Sequence, residues 1–397
     1  MRYNPFNPQQ PARPDFFVGR TEEVEQFEEF LSQTMHGSPM NMAITGNRGI
    51  GKTSILFKFE DIAKNAGCLT LRLSNYEGNL KDIGELVDYI ILNLKREILA
   101  QQPMVERMSK FGEWIKSLQP IFAYKGVSLT IERKKIVGEK ILHDNLNKIW
   151  ENTKQDYSAI VLLIDEAEAL ENIEGALPFL RDVFQRLSAT ANYMVVLCGK
   201  LNFKERMAES FSPLNRFFPT TELFELKDKE IREYVNKKLK SVNVEITNQV
   251  LNELAKTSEG HPYVVVSMCY TIFKSLGDGN KITEEVFKRA LPLIKGRLEQ
   301  DYFISLFHPL TPRGKKTLLE IAKNLDKLDF TFKEAVSFFD LEGNQVSPYI
   351  QELWRKGCIN KPKRGHYEIF HTLFLNFLKE KAKVEDEAPH IQTKLCT

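Results

Sequence analysis

The stretch Gly46 to Thr53, GNRGIGKT, constrains this chain more than any other. It follows the apolar run Asn41 to Thr45 and opens a helical pattern that continues to about Ala66. A strand, a glycine loop and a helix in that order are the context in which G-x-x-x-x-G-K-T marks a site for nucleotide phosphates. Gly46, Gly49 and Gly51 accept backbone conformations closed to side chains, so N–H groups of the run Gly46, Asn47, Arg48, Gly49, Ile50, Gly51, Lys52, Thr53 and Ser54 converge on a phosphate at a helix N-terminus. Lys52 adds a point charge for the β- and γ-phosphates. Thr53 offers its hydroxyl to the magnesium ion that bridges them.

A second site is expected where Ala159 to Ile164 ends in Asp165-Glu166-Ala167-Glu168. An uninterrupted aliphatic run suits a parallel strand buried on both faces, and carboxylates at its C-terminal end sit where open α/β sheets bind ligands. Asp165 is the candidate metal residue, and Glu166 the candidate base for the water that attacks the γ-phosphate. After the next strand, Tyr193 to Cys198, come Lys200 and Asn202; resemblance to P-loop ATPases of the additional-strand type, which often place a polar side chain there, implies that one of the two senses that phosphate. Arg216 is either a finger on a nucleotide, in cis or on a neighbouring copy, or a loop arginine in a surface ion pair.

The 397 residues suffice for two or three domains, and 42% hydrophobic with 27% charged residues is a globular composition. A net charge of +2 argues neither for nor against a polyanion. Five widely spaced cysteines fit reduced thiols in a cytoplasmic protein, and no apolar run is long enough to span a membrane.

Asn4 to Asp15 carries four prolines and reads as an extended arm. Thr21 is the expected cap of a helix reaching about Thr34. Helical pattern from Leu80 to about Gln119, broken at Pro103, precedes a hairpin expected over Ile121 to Arg133 and turning at Lys125-Gly126. Lys227 to Arg297 reads as helices only, with a joint at Gly260-His261-Pro262. Three short helices follow, the third capped by Ser347 with Pro348 in its first turn, then a hairpin and a closing helix from His371 to Lys383. Three helices and a hairpin describe a winged helix-turn-helix. Leu310 to Lys381 holds 13 Lys and Arg against 9 Asp and Glu, and Lys361, Lys363, Arg364 and His366 cluster at the wing tip, where duplex DNA would be met. The candidate recognition helix offers Gln345, Ser347, Tyr349, Gln351, Arg355 and Lys356, opposed by Glu342 and Glu352.

Phe17 to Arg20, GNRGIGKT, Asp165-Glu166, Arg216 and the helical segment together resemble the AAA+ and STAND P-loop ATPases. Among these the chain looks most like the archaeal and bacterial relatives of the origin-recognition ATPases, which also end in a winged helix. The resemblance implies binding of ATP and ADP with Mg2+, a backbone adenine contact at Val18 and Gly19, and nucleotide-dependent movement of a helical lid. The lid arginine of the initiators has no counterpart, because the matching place reads Gly260-His261-Pro262-Tyr263. That form is similar to STAND switches, in which the proline lies near the adenine and His261 would lie near a phosphate.

The expected fold is α/β, a P-loop NTPase of AAA+-like type with a parallel sheet, a helical lid and a C-terminal winged-helix domain. Its expected divisions are an arm over 1–15, an ATPase core over 16–226, a lid over 227–300, a winged helix over 301–384 and a disordered tail over 385–397. Two functions fit: an ATP-hydrolysing switch that couples nucleotide state to DNA, or a STAND-type signalling or defence ATPase whose winged helix binds protein or closes over the nucleotide. A homo-oligomer or a protein partner is compatible with both.

Overall fold

In the computed structural model, the described residues are 3–74, 80–100, 118, 131–339 and 341–387. The chain divides into two compact units, one of Gln10–Phe224 and one of Met1–Gln9 with Glu225–Thr397.

The unit Gln10–Phe224 is built on a parallel sheet. Its elements are α1 (Thr21–Met35), β1 (Met42–Gly46), α2 (Lys52–Asn65), β2 (Leu69–Ser74), α3 (Ile83–Ala100), α4 (Ile131–Thr153), β3 (Ile160–Asp165), α5 (Ala176–Leu187), β4 (Tyr193–Lys200), α6 (Phe203–Ser210), α7 (Leu214–Phe217) and β5 (Thr220–Leu223). The strands lie in the order β2-β3-β4-β1-β5, all paired in parallel. Alternate residues of a strand point to opposite faces, and here both faces are covered, which is why β3 and β4 read as continuous apolar runs. Val161, Leu163, Met194 and Val196 join Phe27 and Phe59 of α1 and α2 on one face. Ile160, Leu162, Val195 and Leu197 join Ile90, Leu142 and Phe179 of α3, α4 and α5 on the other.

Two local expectations change in this unit. Thr21 is the first residue of α1 and not its cap; Arg20 takes the cap position in a left-handed conformation, φ 61°, with no side-chain cap bond. The break at Pro103 and most of the hairpin expected over Ile121 to Arg133, including its turn at Lys125-Gly126, lie outside the described residues. Ile131 to Arg133, the end of that hairpin, begin α4 instead, since the charged run after Ile131 suits a helix better than a strand.

The other unit contains α8 (Asp228–Lys240), β6 (Glu245–Ile246), α9 (Asn248–Ser258), α10 (Pro262–Leu276), β7 (Lys281–Ile282), α11 (Glu284–Leu298), α12 (Ile304–Phe307), α13 (Pro312–Asn324), β8 (Asp329–Thr331), α14 (Phe332–Ser337), α15 (Gly343–Lys356), β9 (Ile359–Lys363), β10 (His366–Ile369) and α16 (Thr372–Glu387). The stretch read as helices only also contains a short parallel pair, β6 with β7. β8 adds a third strand to the expected hairpin, in the order β8-β10-β9. α15 starts at Gly343 rather than after Ser347, because Glu342 and Gln345 form a capping box one turn earlier; Pro348 then falls inside the helix. α16 takes in residues 385–387 of the expected tail, and the remainder lies outside the described residues.

The proline-rich arm is anchored at its start. Asn4 Nδ2 donates to the Tyr270 carbonyl at 3.0 Å. Phe6 is 2% exposed, with ring centroids 6.0 Å from Tyr234 and 6.4 Å from Phe273. Truncating a buried phenylalanine removes its transfer free energy and leaves a cavity, so Phe6→Ala should cost about 3 kcal/mol. Denaturant unfolding of the full chain checks this: an earlier transition is expected, and an unchanged one would mean that the arm is not held by Phe6.

Candidate nucleotide site

β1 ends at Gly46, in register with Lys200 of β4 and Leu223 of β5, and α2 starts at Lys52. The turn between them is tight. A Cβ on Gly46 would lie 2.8 Å from Ile50 Cγ2 and 3.2 Å from the Leu223 carbonyl oxygen. Gly49 and Gly51 have φ of 77° and 100°, the left-handed region that glycine enters without strain. Lys52 Nζ donates to the carbonyls of Gly46 and Asn47 at 2.9 and 2.8 Å, so the ammonium lies over the loop. Desolvation lowers its pKa, against the opposing pull of Cys198, Glu168 and Asp165.

The acidic end of β3 meets this loop. Thr53 Oγ1 donates to Asp165 Oδ2 at 2.7 Å, which joins the first turn of α2 to a strand on the far side of β4. Asp165 is 8% exposed, and its Oδ1 accepts the Glu166 N–H at 2.9 Å. Glu166 has φ 51°, a left-handed conformation that a residue with a side chain rarely takes, just beyond the strand end. Its pKa is raised, first by desolvation and then by Asp165 and Glu168.

Glu168 is a member of the site for which sequence reasoning assigned no role. It lies on a 3₁₀ turn, Ala167–Asn172, directly after the acidic strand end, and its place in the run Asp165-Glu166-Ala167-Glu168 was the available signal. Its Oε1 is 3.4 Å from Lys200 Nζ, while Oε2 is buried without a hydrogen-bond partner among the described residues. Of the two sensor candidates, Lys200 is therefore paired with Glu168, and Asn202 is 5% exposed, its Nδ2 buried with no hydrogen-bond partner among the described residues.

Among the described residues no three His, Cys, Asp or Glu side chains gather into a metal centre. A hydroxyl and a carboxylate 2.7 Å apart, at the mouth of a phosphate loop, are nonetheless the hard oxygen donors that magnesium takes when phosphates and water complete its shell. The residues present fit that ion.

The remaining expected residues are more dispersed. Arg48 is exposed at the loop tip. Val18 and Gly19 lie just before α1, Gly19 with φ 66°. Arg216 is exposed on the four-residue α7, with no ion pair among the described residues. His261 and Pro262 belong to the other unit, where His261 is 1% exposed. The His261 ring sits beside Tyr302, Phe370 and His371, with Nε2 3.4 Å from the Tyr302 hydroxyl.

Residues 17–197 match the AAA ATPase domain family. An uncharacterized HTH-type transcriptional regulator of Methanocaldococcus jannaschii is 21% identical over 94% of this chain and 90% of its own length. A Walker-type ATPase of Pyrococcus abyssi is similar in structure, with a TM-score of 0.60 at 16% identity, over 94% of this chain and 99% of that one. The ORC2 protein of Aeropyrum pernix, in its ADPNP–ADP complexes, gives a TM-score of 0.60 at 12% identity, over 97% and 99%. A chain whose residues 17–197 match the AAA ATPase domain family thus shares its fold with this Walker-type ATPase and this ORC2 protein.

Proposed function

We propose that this chain is a magnesium-dependent ATP-hydrolysing switch whose C-terminal segment is a winged helix that binds duplex DNA. The observation that carries the ATPase reading is the 2.7 Å bond between Thr53 and Asp165, which ties the phosphate loop to the acidic strand end. Thr53 and Asp165 would hold Mg2+, which when bound neutralises charge on the β- and γ-phosphates. Lys52 exchanges its two loop carbonyls for phosphate oxygens. Glu166, less acidic than an ordinary glutamate, accepts a proton from the attacking water, and Arg216 is the candidate finger on the γ-phosphate. Glu166→Gln should lower ATP turnover at least about 100-fold while nucleotide binding stays within a few-fold. Steady-state phosphate release checks this, and undiminished turnover would remove Glu166 from the chemistry.

The DNA reading rests on helices α13, α14 and α15 beside the sheet β8-β10-β9. The two acids that oppose a phosphate backbone are both occupied. Glu342 caps α15, and Glu352 accepts the Thr311 N–H and hydroxyl at 2.7 and 2.8 Å. Gln345, Gln351, Arg355 and Lys356 are exposed on α15, as are Lys363, Arg364 and His366 at the β9–β10 turn. Lys361, also expected at the wing tip, instead lies over the Trp354 ring at 4.5 Å, which leaves the backbone contact to the other three. The name of the M. jannaschii relative, an HTH-type regulator, agrees with this role. Duplex affinity should fall steeply with salt, and changing Lys363 and Arg364 together to Ala should reduce the log–log salt slope by about two. An anisotropy titration with no binding by the unmodified chain at low salt would sink the DNA reading.

A second reading, a STAND-type signalling or defence switch, is favoured by the corner before α10. His371 Nε2 donates to the Ser258 carbonyl at 3.0 Å, and the Thr372 N–H donates to the Glu259 carboxylate at 3.2 Å. The α9–α10 corner and the start of α16 are thereby bonded into one body, which would present the C-terminal segment to a protein partner or to a second copy of the chain. The same titration separates the two readings, because only the first requires duplex binding.

A further inference from the structure

We propose that the segment preceding α1 is part of the phosphate-binding apparatus, with Arg20 as the residue that positions the phosphate loop. The proposal rests on the reading of Gly46 to Thr53 as a nucleotide phosphate site. A loop that turns its N–H groups toward a phosphate must turn its carbonyls back into the protein. Ile50 is the vulnerable point. It lies between Gly49, φ 77°, and Gly51, φ 100°, so neither flanking residue restricts its peptide planes as a side chain would. If the Ile50 carbonyl rotated toward the phosphates, it would present an oxygen where the site needs a donor.

Arg20 opposes that rotation. Its Nη2 donates to the Ile50 carbonyl at 3.1 Å in a buried bond, and Ile50 itself is 1% exposed. Arg20 is 9% exposed, and its Nη1 lies 3.7 Å from Glu23 Oε1, a carboxylate almost as buried. Burying a guanidinium is unfavourable unless its donors are used, and Arg20 also holds a left-handed backbone, φ 61°, that disfavours any residue with a Cβ. Both unfavourable features occur at the one position from which the side chain reaches the loop. The same segment also grips the far end of the motif: the Ala12 N–H donates to Ser54 Oγ at 3.0 Å, one residue past Thr53. The loop is thus fixed at its middle and at its helical end by residues that precede α1 in the chain.

The experiment is nucleotide binding and steady-state ATP turnover of the full chain carrying Arg20→Ala, Arg20→Lys or Lys52→Ala, with thermal unfolding of each nucleotide-free variant. Loss of a charged hydrogen bond that shapes the loop should raise the Kd for ADP and for a non-hydrolysable ATP analogue alike, by about tenfold, and raise KM with them while kcat at saturation stays within about twofold. Arg20→Lys keeps a donor for the carbonyl and should recover most of that loss. Unchanged Kd and KM in a folded Arg20→Ala chain would overturn the proposal. So would a fall in thermal stability matched by a fall in kcat with KM constant, or a lysine variant no better than alanine. If the unmodified chain bound no nucleotide, or Lys52→Ala bound it equally well, the phosphate-site reading itself would fail, whatever Arg20 did.

Discussion

The bond from Thr53 to Asp165 is the constraint on which the candidate nucleotide site depends. It connects two elements that are adjacent neither in sequence nor in the sheet, since β4 lies between β1 and β3. It can form only if β1, β4 and β3 keep the register that sets Gly46 beside Lys200 and Ile164 beside Leu197, and that register is set by the two apolar layers that cover the sheet. Packing therefore decides whether the phosphate loop and the acidic strand end meet. Around the joint the protein concentrates unfavourable features: a left-handed Glu166, a desolvated Lys52, and the bare Oε2 of Glu168. Such features persist only where the surrounding fold over-determines them, and they gather at functional sites.

The legibility of this site in the sequence was uneven for physical reasons. The glycine loop and the aliphatic run ending in Asp165 carry local signatures, because backbone geometry and burial on both faces restrict which residue types can stand there. Arg20 stood within the Phe17 to Arg20 motif, but nothing in that motif announces its bond to a main-chain carbonyl thirty positions away. Thr21 was the more plausible cap by type, and the left-handed turn at Gly19 and Arg20 displaced it by one residue. In α15 Ser347 was the better cap by type, but the bond from the Glu342 N–H to Gln345 Oε1 starts the helix one turn earlier. Strands β6, β7 and β8 are two or three residues long and exist by virtue of distant partners, so no periodicity could announce them.

The unit that contains the C-terminal segment has its own organising point at Gly260. The Gly260 carbonyl accepts the Leu226 N–H at 2.8 Å, and a Cβ on Gly260 would stand 2.3 Å from the Leu226 carbonyl oxygen, so only glycine fits the approach. His371 is fully buried at the same corner, with Nδ1 accepting from the Leu373 N–H while Nε2 donates to Ser258. Burial lowers its pKa, against Glu259, which keeps the neutral tautomer that this pair of bonds requires. Gly260-His261-Pro262 thus reads as a structural joint between the helices α9 and α10 and the last helix.

The central claim is that Lys52, Thr53 and Asp165 form a magnesium–nucleotide site. A calorimetric titration of ADP into the full chain, with Mg2+ present and again with the cation chelated, tests it most directly. The account predicts saturable binding of one nucleotide per chain, weakened at least about tenfold when the cation is withdrawn. Absence of binding with Mg2+ present, or an affinity indifferent to the cation, would contradict it.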